Sequence, residues 1–216
     1  MAIETETGGN HDNVGVRQSV RIRECAASTL NKVKKDFTTI MGKIKFETTK
    51  GDFVIEMRPE WAPLGAARFV ELVTSGFFDG AKFFRVLPGF VVQFGLPADP
   101  KTAPKISNLK DDPVTQTNAK GTITFATAGP GTRTSQVFIN LVDNKRLDEM
   151  GFTPFGTVVE GFDVVEKLYS GYGEGAPYGN GPDQGRVRTL GNAYLEASFP
   201  KMDGITKATV LEEPAV

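Results

Sequence analysis

From Lys43 the pattern turns to β, starting with short runs in which apolar residues alternate with polar ones. Ile44, Phe46 and Thr48 alternate with polar residues, and after a Lys50-Gly51 turn Phe53, Ile55 and Met57 alternate again, which reads as a hairpin. Further short strands are expected at 83–87, 90–94, 122–126, 136–141 and 155–159, and a last one near 205–211, with Gly and Pro between them. Two stretches carry helical spacing. Pro63 opens one that runs to Ser75, with Leu64, Ala67, Phe69, Val70, Leu72 and Val73 as an apolar face and Gly76 as its stop. The other spans 162–169 and carries Phe162, Val165 and Leu168. About eight short strands with two helices predict an all-β fold built as a closed β-barrel and not a parallel α/β sheet. Side chains fill the interior of a barrel of this size, and the 16 phenylalanines supply the material. A ligand is then expected on the outer wall or a rim, not inside as in a lipocalin.

Residues 1–41 differ in composition and are assigned as an N-terminal extension, with residues 42–213 as the folded domain. The extension begins polar, with Glu4, Glu6 and Asp12, and turns basic from Arg17 to Lys35. Ala26, Leu30, Val33 and Phe37 recur at helical spacing there, predicting one short amphipathic helix. Residues 171–191 hold seven glycines with Pro177 and Pro182, and are expected to be a flexible connection between the second helix and the last strand.

Composition excludes several function classes. The formal net charge of −1 gives no general attraction to nucleic acid or an anionic membrane, and no apolar run is long enough to span a bilayer. Cys25 is the single cysteine, so no intramolecular disulfide forms. This fits a reducing compartment, and cytoplasmic localisation is expected, with an organelle as the alternative if residues 1–41 include a targeting segment. The single histidine, His11, lies in the extension, so a Ser-His-Asp triad or a His-rich metal site in the main domain is excluded by count. No metal and no cofactor are expected. The Gly171-Tyr172-Gly173-Glu174-Gly175 run lacks the lysine of a phosphate loop and follows a helix instead of a strand.

Two segments carry chemistry. In Phe83-Phe84-Arg85-Val86-Leu87-Pro88-Gly89-Phe90-Val91-Val92-Gln93-Phe94-Gly95, two apolar strands meet at a Pro-Gly turn, and each holds one isolated polar residue. Val91 and Gln93 share a face by alternation. An arginine in an apolar strand needs a reason, and a structural pair with a carboxylate competes with a functional one. The second segment runs from Gly121 to Leu141. It contains Ala126-Thr127-Ala128-Gly129-Pro130-Gly131 and Ser135-Gln136-Val137-Phe138-Ile139-Asn140, with Gln136 and Phe138 on one face and Val137 and Ile139 on the other.

These blocks resemble the signature of the cyclophilins, which runs Phe-His-Arg-Val-Ile-Pro-Gly-Phe and later Ala-Gly-Pro followed by Ser-Gln-Phe-Phe-Ile. Leu147-Asp148 and Phe155-Gly156-Thr157-Val158-Val159-Glu160-Gly161 continue it in order. The resemblance covers about residues 43–211 and implies a closed eight-stranded antiparallel β-barrel capped by two α-helices. It implies a peptidyl-prolyl cis-trans isomerase that assists protein folding; the alternative is a non-catalytic module that binds Pro-containing segments. It implies Arg85 as the catalytic arginine, with Phe90, Val91, Phe138 and Leu147 as the proline-pocket wall. Gln93 and Gln136 become polar peptide contacts, and Ala126 and Thr127 contacts through the backbone. Phe152 falls near a common pocket histidine. Phe84 replaces a histidine of the pattern, Val91 a methionine and Thr127 an asparagine. Arg146 stands where well-known members have tryptophan. The implied partners are Pro-containing segments of client proteins and cyclosporin, the latter weakened by Arg146.

Overall fold

The computed structural model of the protein describes residues 42–211. The expected extension, with its short helix, and residues 212–213 of the expected domain lie outside the described residues.

The hairpin forms as read. Strands β1 (Lys43–Thr48) and β2 (Gly51–Met57) pair antiparallel with Ile44 opposite Ile55 and Phe46 opposite Phe53, and these residues enter the core with Met57. The helix α1 (Pro63–Thr74) follows, with proline in its first turn and Gly76 at φ 70° just past its end. It has no side-chain cap of its own. Instead, the N–H groups of Leu64 and Gly65 donate to the carboxylate of Asp112, at 3.0 and 2.9 Å, where a negative charge meets the positive end of the helix. Arg133 Nη1 donates to the same carboxylate at 3.1 Å.

The remaining strands are β3 (Arg85–Val86), β4 (Val91–Phe94), β5 (Thr122–Phe125), β6 (Val137–Asn140), β7 (Pro154–Glu160) and β8 (Ile205–Leu211). All eight form one antiparallel curled sheet in the order β3-β4-β6-β5-β7-β2-β1-β8. The edge strands β3 and β8 share no ladder, so the sheet is open where a closed barrel was expected. The segment before β3 nevertheless meets the segment entering β8: Phe83 N–H donates to Asp203 O at 3.1 Å and Ile205 N–H to Ala81 O at 2.8 Å.

The concave side is filled by aromatic rings. Phe46 lies 5.1 Å from Phe53, 5.8 Å from Phe94 and 6.0 Å from Phe69 and Phe78, ring centre to ring centre. All five are fully buried, and burial stabilises the fold by roughly 1.5–3 kcal/mol for each such side chain. With the interior occupied, the outer face of β3, β4 and β6 is left for binding.

Three expectations need correction. The strand at 83–87 shrinks to two paired residues, because Leu87 to Phe90 form the Pro-Gly turn, closed by a 2.9 Å bond from Phe90 N–H to Leu87 O. The second helix, α3 (Phe162–Glu166), ends before 169. The 171–191 stretch is not a featureless connection. It leads into α4 (Gln184–Leu190) and α5 (Asn192–Ser198), and with the one-turn α2 (Arg146–Glu149) the described residues hold five helices, not two. Val187, Tyr194 and Leu195 pack with Phe84, Leu96 and Met202 in a second apolar cluster, which gives the glycine-rich stretch a core of its own.

Candidate active site

Strand register builds the site. Arg85 on β3 lies opposite Gln93 on β4, Gln93 opposite Phe138 on β6, and Phe138 opposite Thr124 on β5. Alternation sends Val92, Phe94, Val137 and Ile139 into the core and leaves Arg85, Gln93 and Phe138 as one row across the outer face. Gln136, one residue before β6, joins the row: Gln93 Nε2 donates to Gln136 Oε1 at 3.0 Å. The close approach of these two segments requires glycine at 95. A Cβ there, at φ 99°, would lie 2.3 Å from Ser135 O.

Beside this row lies an open cavity of about 250 Å³ lined by Arg85, Phe90, Val91, Gln93, Ala126, Thr127, Phe138, Leu147, Met150 and Phe152. Val91, Phe138 and Leu147 form its buried apolar floor, and Phe90, Ala126 and Phe152 pack against them. Phe152 stands edge-on to Phe138, with centroids 5.6 Å apart. The volume lies below the range usual for drug-sized ligands and suits a single small ring. A second cavity of about 230 Å³ adjoins it, sharing Gln93, Ala126 and Thr127 and adding Gln136, Gln184 and Arg188.

The backbone that carries the apolar wall is held by a buried amide network. Asn144 Nδ2 donates to Phe90 O at 3.0 Å and to Asn140 Oδ1 at 2.8 Å, and Asn140 Nδ2 to Thr122 Oγ1 at 2.9 Å. Asn118 Nδ2 donates to Phe152 O at 2.9 Å and to Asp148 Oδ1 at 2.7 Å, while Thr124 Oγ1 donates to Asn118 Oδ1 at 2.8 Å. Burial pushes the Asp148 carboxyl pKa up, but hydrogen bonds from Thr117 and Asn118 and the charge of Lys145 hold it below the usual carboxylate range.

Among the described residues, Arg85 is the one cation lining the apolar cavity. Its Nε and Nη2 donate to the two carboxylate oxygens of Glu174 at 2.7 and 2.6 Å, and its Nη1 donates to Gln93 Oε1 at 3.1 Å. The guanidinium carbon lies 5.6 Å from the centre of the Phe90 ring. Hydrogen bonding to Arg85 holds the Glu174 carboxyl below its ordinary range; burial opposes this and the Gly175 N–H assists it.

The structure thus brings together Arg85, Phe90, Val91, Gln93, Ala126, Thr127, Phe138, Leu147 and Phe152, with Gln136 one step away in the adjoining cavity. Arg146 stands outside the apolar cavity, on an exposed rim, with its guanidinium 5.1 Å from the Phe90 ring centre. The Thr127 hydroxyl is engaged within its own turn, bonded to the Gly129 carbonyl and, at 2.9 Å, to Thr132 Oγ1. Glu174, Met150, Gln184 and Arg188 were missed in the sequence. The need of Arg85 for a carboxylate was the available signal, and Glu174 is the only glutamate of the 171–191 stretch.

A small apolar pocket thus lies on the outer wall of a filled, curled antiparallel sheet, with an arginine held at its lip. A family model for "Cyclophilin type peptidyl-prolyl cis-trans isomerase/CLD" matches residues 43–185. The chain belongs to the cyclophilin-type peptidyl-prolyl cis-trans isomerases. It is 37% identical over 147 residues to "Peptidyl-prolyl cis-trans isomerase A" of Dickeya dadantii, covering 63% of this chain and 76% of the relative. It is 34% identical over 137 residues to "Peptidyl-prolyl cis-trans isomerase B" of Escherichia coli, covering 58% and 82%. Among solved structures it resembles the cyclophilin AquaCyp293 from Hirschia baltica, at TM-score 0.61 and 19% identity, covering 82% of this chain and 76% of that one. A cyclophilin-type isomerase of Cryptosporidium parvum, crystallised in the presence of the dipeptide Ala-Pro, matches at TM-score 0.57 and 19% identity, covering 79% and 99%.

Proposed function

We propose that the protein catalyses rotation about X-Pro peptide bonds with Arg85 as its catalytic residue, and that it acts on Pro-containing segments of client proteins during folding. Amide resonance sets a barrier of about 18–20 kcal/mol for this rotation, and no bond is made or broken. The catalyst must hold the proline ring and favour the twisted amide, whose nitrogen becomes pyramidal and accepts a hydrogen bond. A guanidinium carries five N–H donors. Glu174 and Gln93 engage three of them, which leaves two donors for the substrate. The apolar wall of Val91, Phe138 and Leu147 receives the ring and lowers the local dielectric, which strengthens a bond from Arg85 to the prolyl nitrogen.

The observation that carries this reading is the fixed guanidinium at the edge of a ring-sized apolar pocket. The presence of Ala-Pro with the Cryptosporidium relative supports the substrate class. The hydrogen bonds between residues 81–83 and 203–205 support a barrel completed through its edges, a rigid wall for such a pocket. The exposed rim at Arg146 belongs to the same proposal: cyclosporin is expected to bind, but weakly. So does a cytoplasmic site of action, for which the single cysteine is the support.

A protease-coupled assay on a short Ala-Pro peptide tests the function. Turnover that saturates with peptide is expected. Binding of the peptide without turnover would replace the enzyme by a proline-binding module.

A further inference from the structure

We infer that Glu174 is a positioning residue of the isomerase: its carboxylate, supplied by the 171–203 segment, fixes the Arg85 guanidinium so that its free donors face the proline pocket. The inference rests on the isomerase reading above. An unrestrained arginine side chain spreads over many rotamers, and that conformational entropy is lost when the group is fixed. Three contacts remove that freedom here. The carboxylate takes the Nε–Nη2 edge in a two-pronged bond, Gln93 takes one proton of Nη1, and the Phe90 ring lies 5.6 Å from the guanidinium carbon. One proton on each of Nη1 and Nη2 is left, and Arg85 lines the pocket.

Glu174 is itself held. Its Oε1 also accepts the Gly175 N–H at 2.9 Å, and its carbonyl accepts the Gly181 N–H at 2.8 Å. A Cβ on Gly179 would lie 2.4 Å from that carbonyl, so the loop closes around Glu174 only with glycine there. The segment is pinned on its far side as well. Asn192 N–H donates to Ala98 O at 2.8 Å, and Asn192 Nδ2 to Gly80 O at 2.9 Å. Phe84, the residue before Arg85, is buried at 2% exposure among Val187, Tyr194 and Leu195 of the same segment. Adjacent residues of the chain therefore do two jobs: Phe84 docks the segment, and Arg85 receives its carboxylate. This gives a reason for phenylalanine at position 84.

The test is a double-mutant cycle on the full chain, with kcat and KM from a saturable Ala-Pro peptide and peptide Kd from titration. Glu174→Ala is expected to lower kcat by on the order of 10-fold to 10²-fold, the cost of a misplaced group, with peptide Kd changed less than about twofold. Glu174→Gln keeps one acceptor oxygen and should fall between. In an Arg85→Ala background, removing Glu174 should cost nothing further, because it acts through Arg85. Unchanged or raised kcat in folded Glu174→Ala, or an equal extra loss in the Arg85→Ala background, would overturn the positioning role while leaving the isomerase reading in place. If Glu174→Ala fails to fold, Glu174→Gln in both backgrounds gives the same decision. Full activity in folded Arg85→Ala would overturn both.

Discussion

The two oxygens of Glu174 grip the Nε–Nη2 edge of Arg85 at 2.7 and 2.6 Å, across 89 residues of chain. A carboxylate paired this way satisfies the structural demand of an arginine in an apolar strand and still leaves part of the guanidinium free. The structural and the functional explanations of Arg85 therefore coexist.

This pairing sets the pH response. Residues 42–211 contain no histidine, and arginine stays protonated. Hydrogen bonding to Arg85 lowers Glu174, and bonds from Thr117 and Asn118 lower Asp148 against the effect of burial. Both are acids with depressed folded values. The stability each adds is full above its unfolded value and is lost as pH falls through the lower folded value. We predict kcat/KM flat from pH 8 down to about 5, with loss only below about pH 4. A bell-shaped profile between pH 6 and 8 would reveal a general acid or base that this mechanism lacks.

Asp112 links the start of α1 to the loop and to Arg133. Its side chain is 1% exposed and that of Arg133 is 5% exposed. Asp112→Ala removes the acceptor of two helix N–H groups and strands a buried guanidinium. Breaking such a pair costs about 3–5 kcal/mol, and the remaining contact of Arg133 Nε with Asp111 at 3.2 Å favours the lower figure. A matching fall in the urea midpoint at constant slope is expected. Peptide turnover by the fraction still folded should hold, since Asp112 is not among the residues lining the apolar pocket.

Arg146 and Arg85 both lie near the Phe90 ring, at 5.1 and 5.6 Å. The rim is thus charged where an indole would offer a flat apolar face. Arg146→Trp should tighten cyclosporin binding by about 1–3 kcal/mol, the range for one hot-spot contact, with little change in Ala-Pro turnover. Titration of both proteins decides this; tight binding by the unmodified protein would show that the drug does not use this rim.

Much of this was legible in the sequence, for stated physical reasons. Period-two runs marked the hairpin, and strands β4 to β7 fall within one residue of the expected bounds, because each is a short apolar run rich in β-branched and aromatic residues set between turn residues. The same alternation put Val91 with Gln93 and Gln136 with Phe138. The 171–203 segment was not legible. In α4 only Val187 is buried and Gly185 sits inside the helix, so neither periodicity nor propensity marks it. Its one local signal is Asp183, whose side chain accepts the Arg186 N–H at 2.8 Å as an N-cap. Glu174 escaped because its partner is distant in sequence, and pairing at that range leaves no local pattern.

The account stands most directly on the turnover of folded Arg85→Ala in the protease-coupled proline assay. Loss of one preorganised donor to the transition state predicts a fall in kcat/KM of on the order of 10²-fold or more, with the melting temperature close to that of the parent. Undiminished kcat/KM in the folded variant would contradict the mechanism.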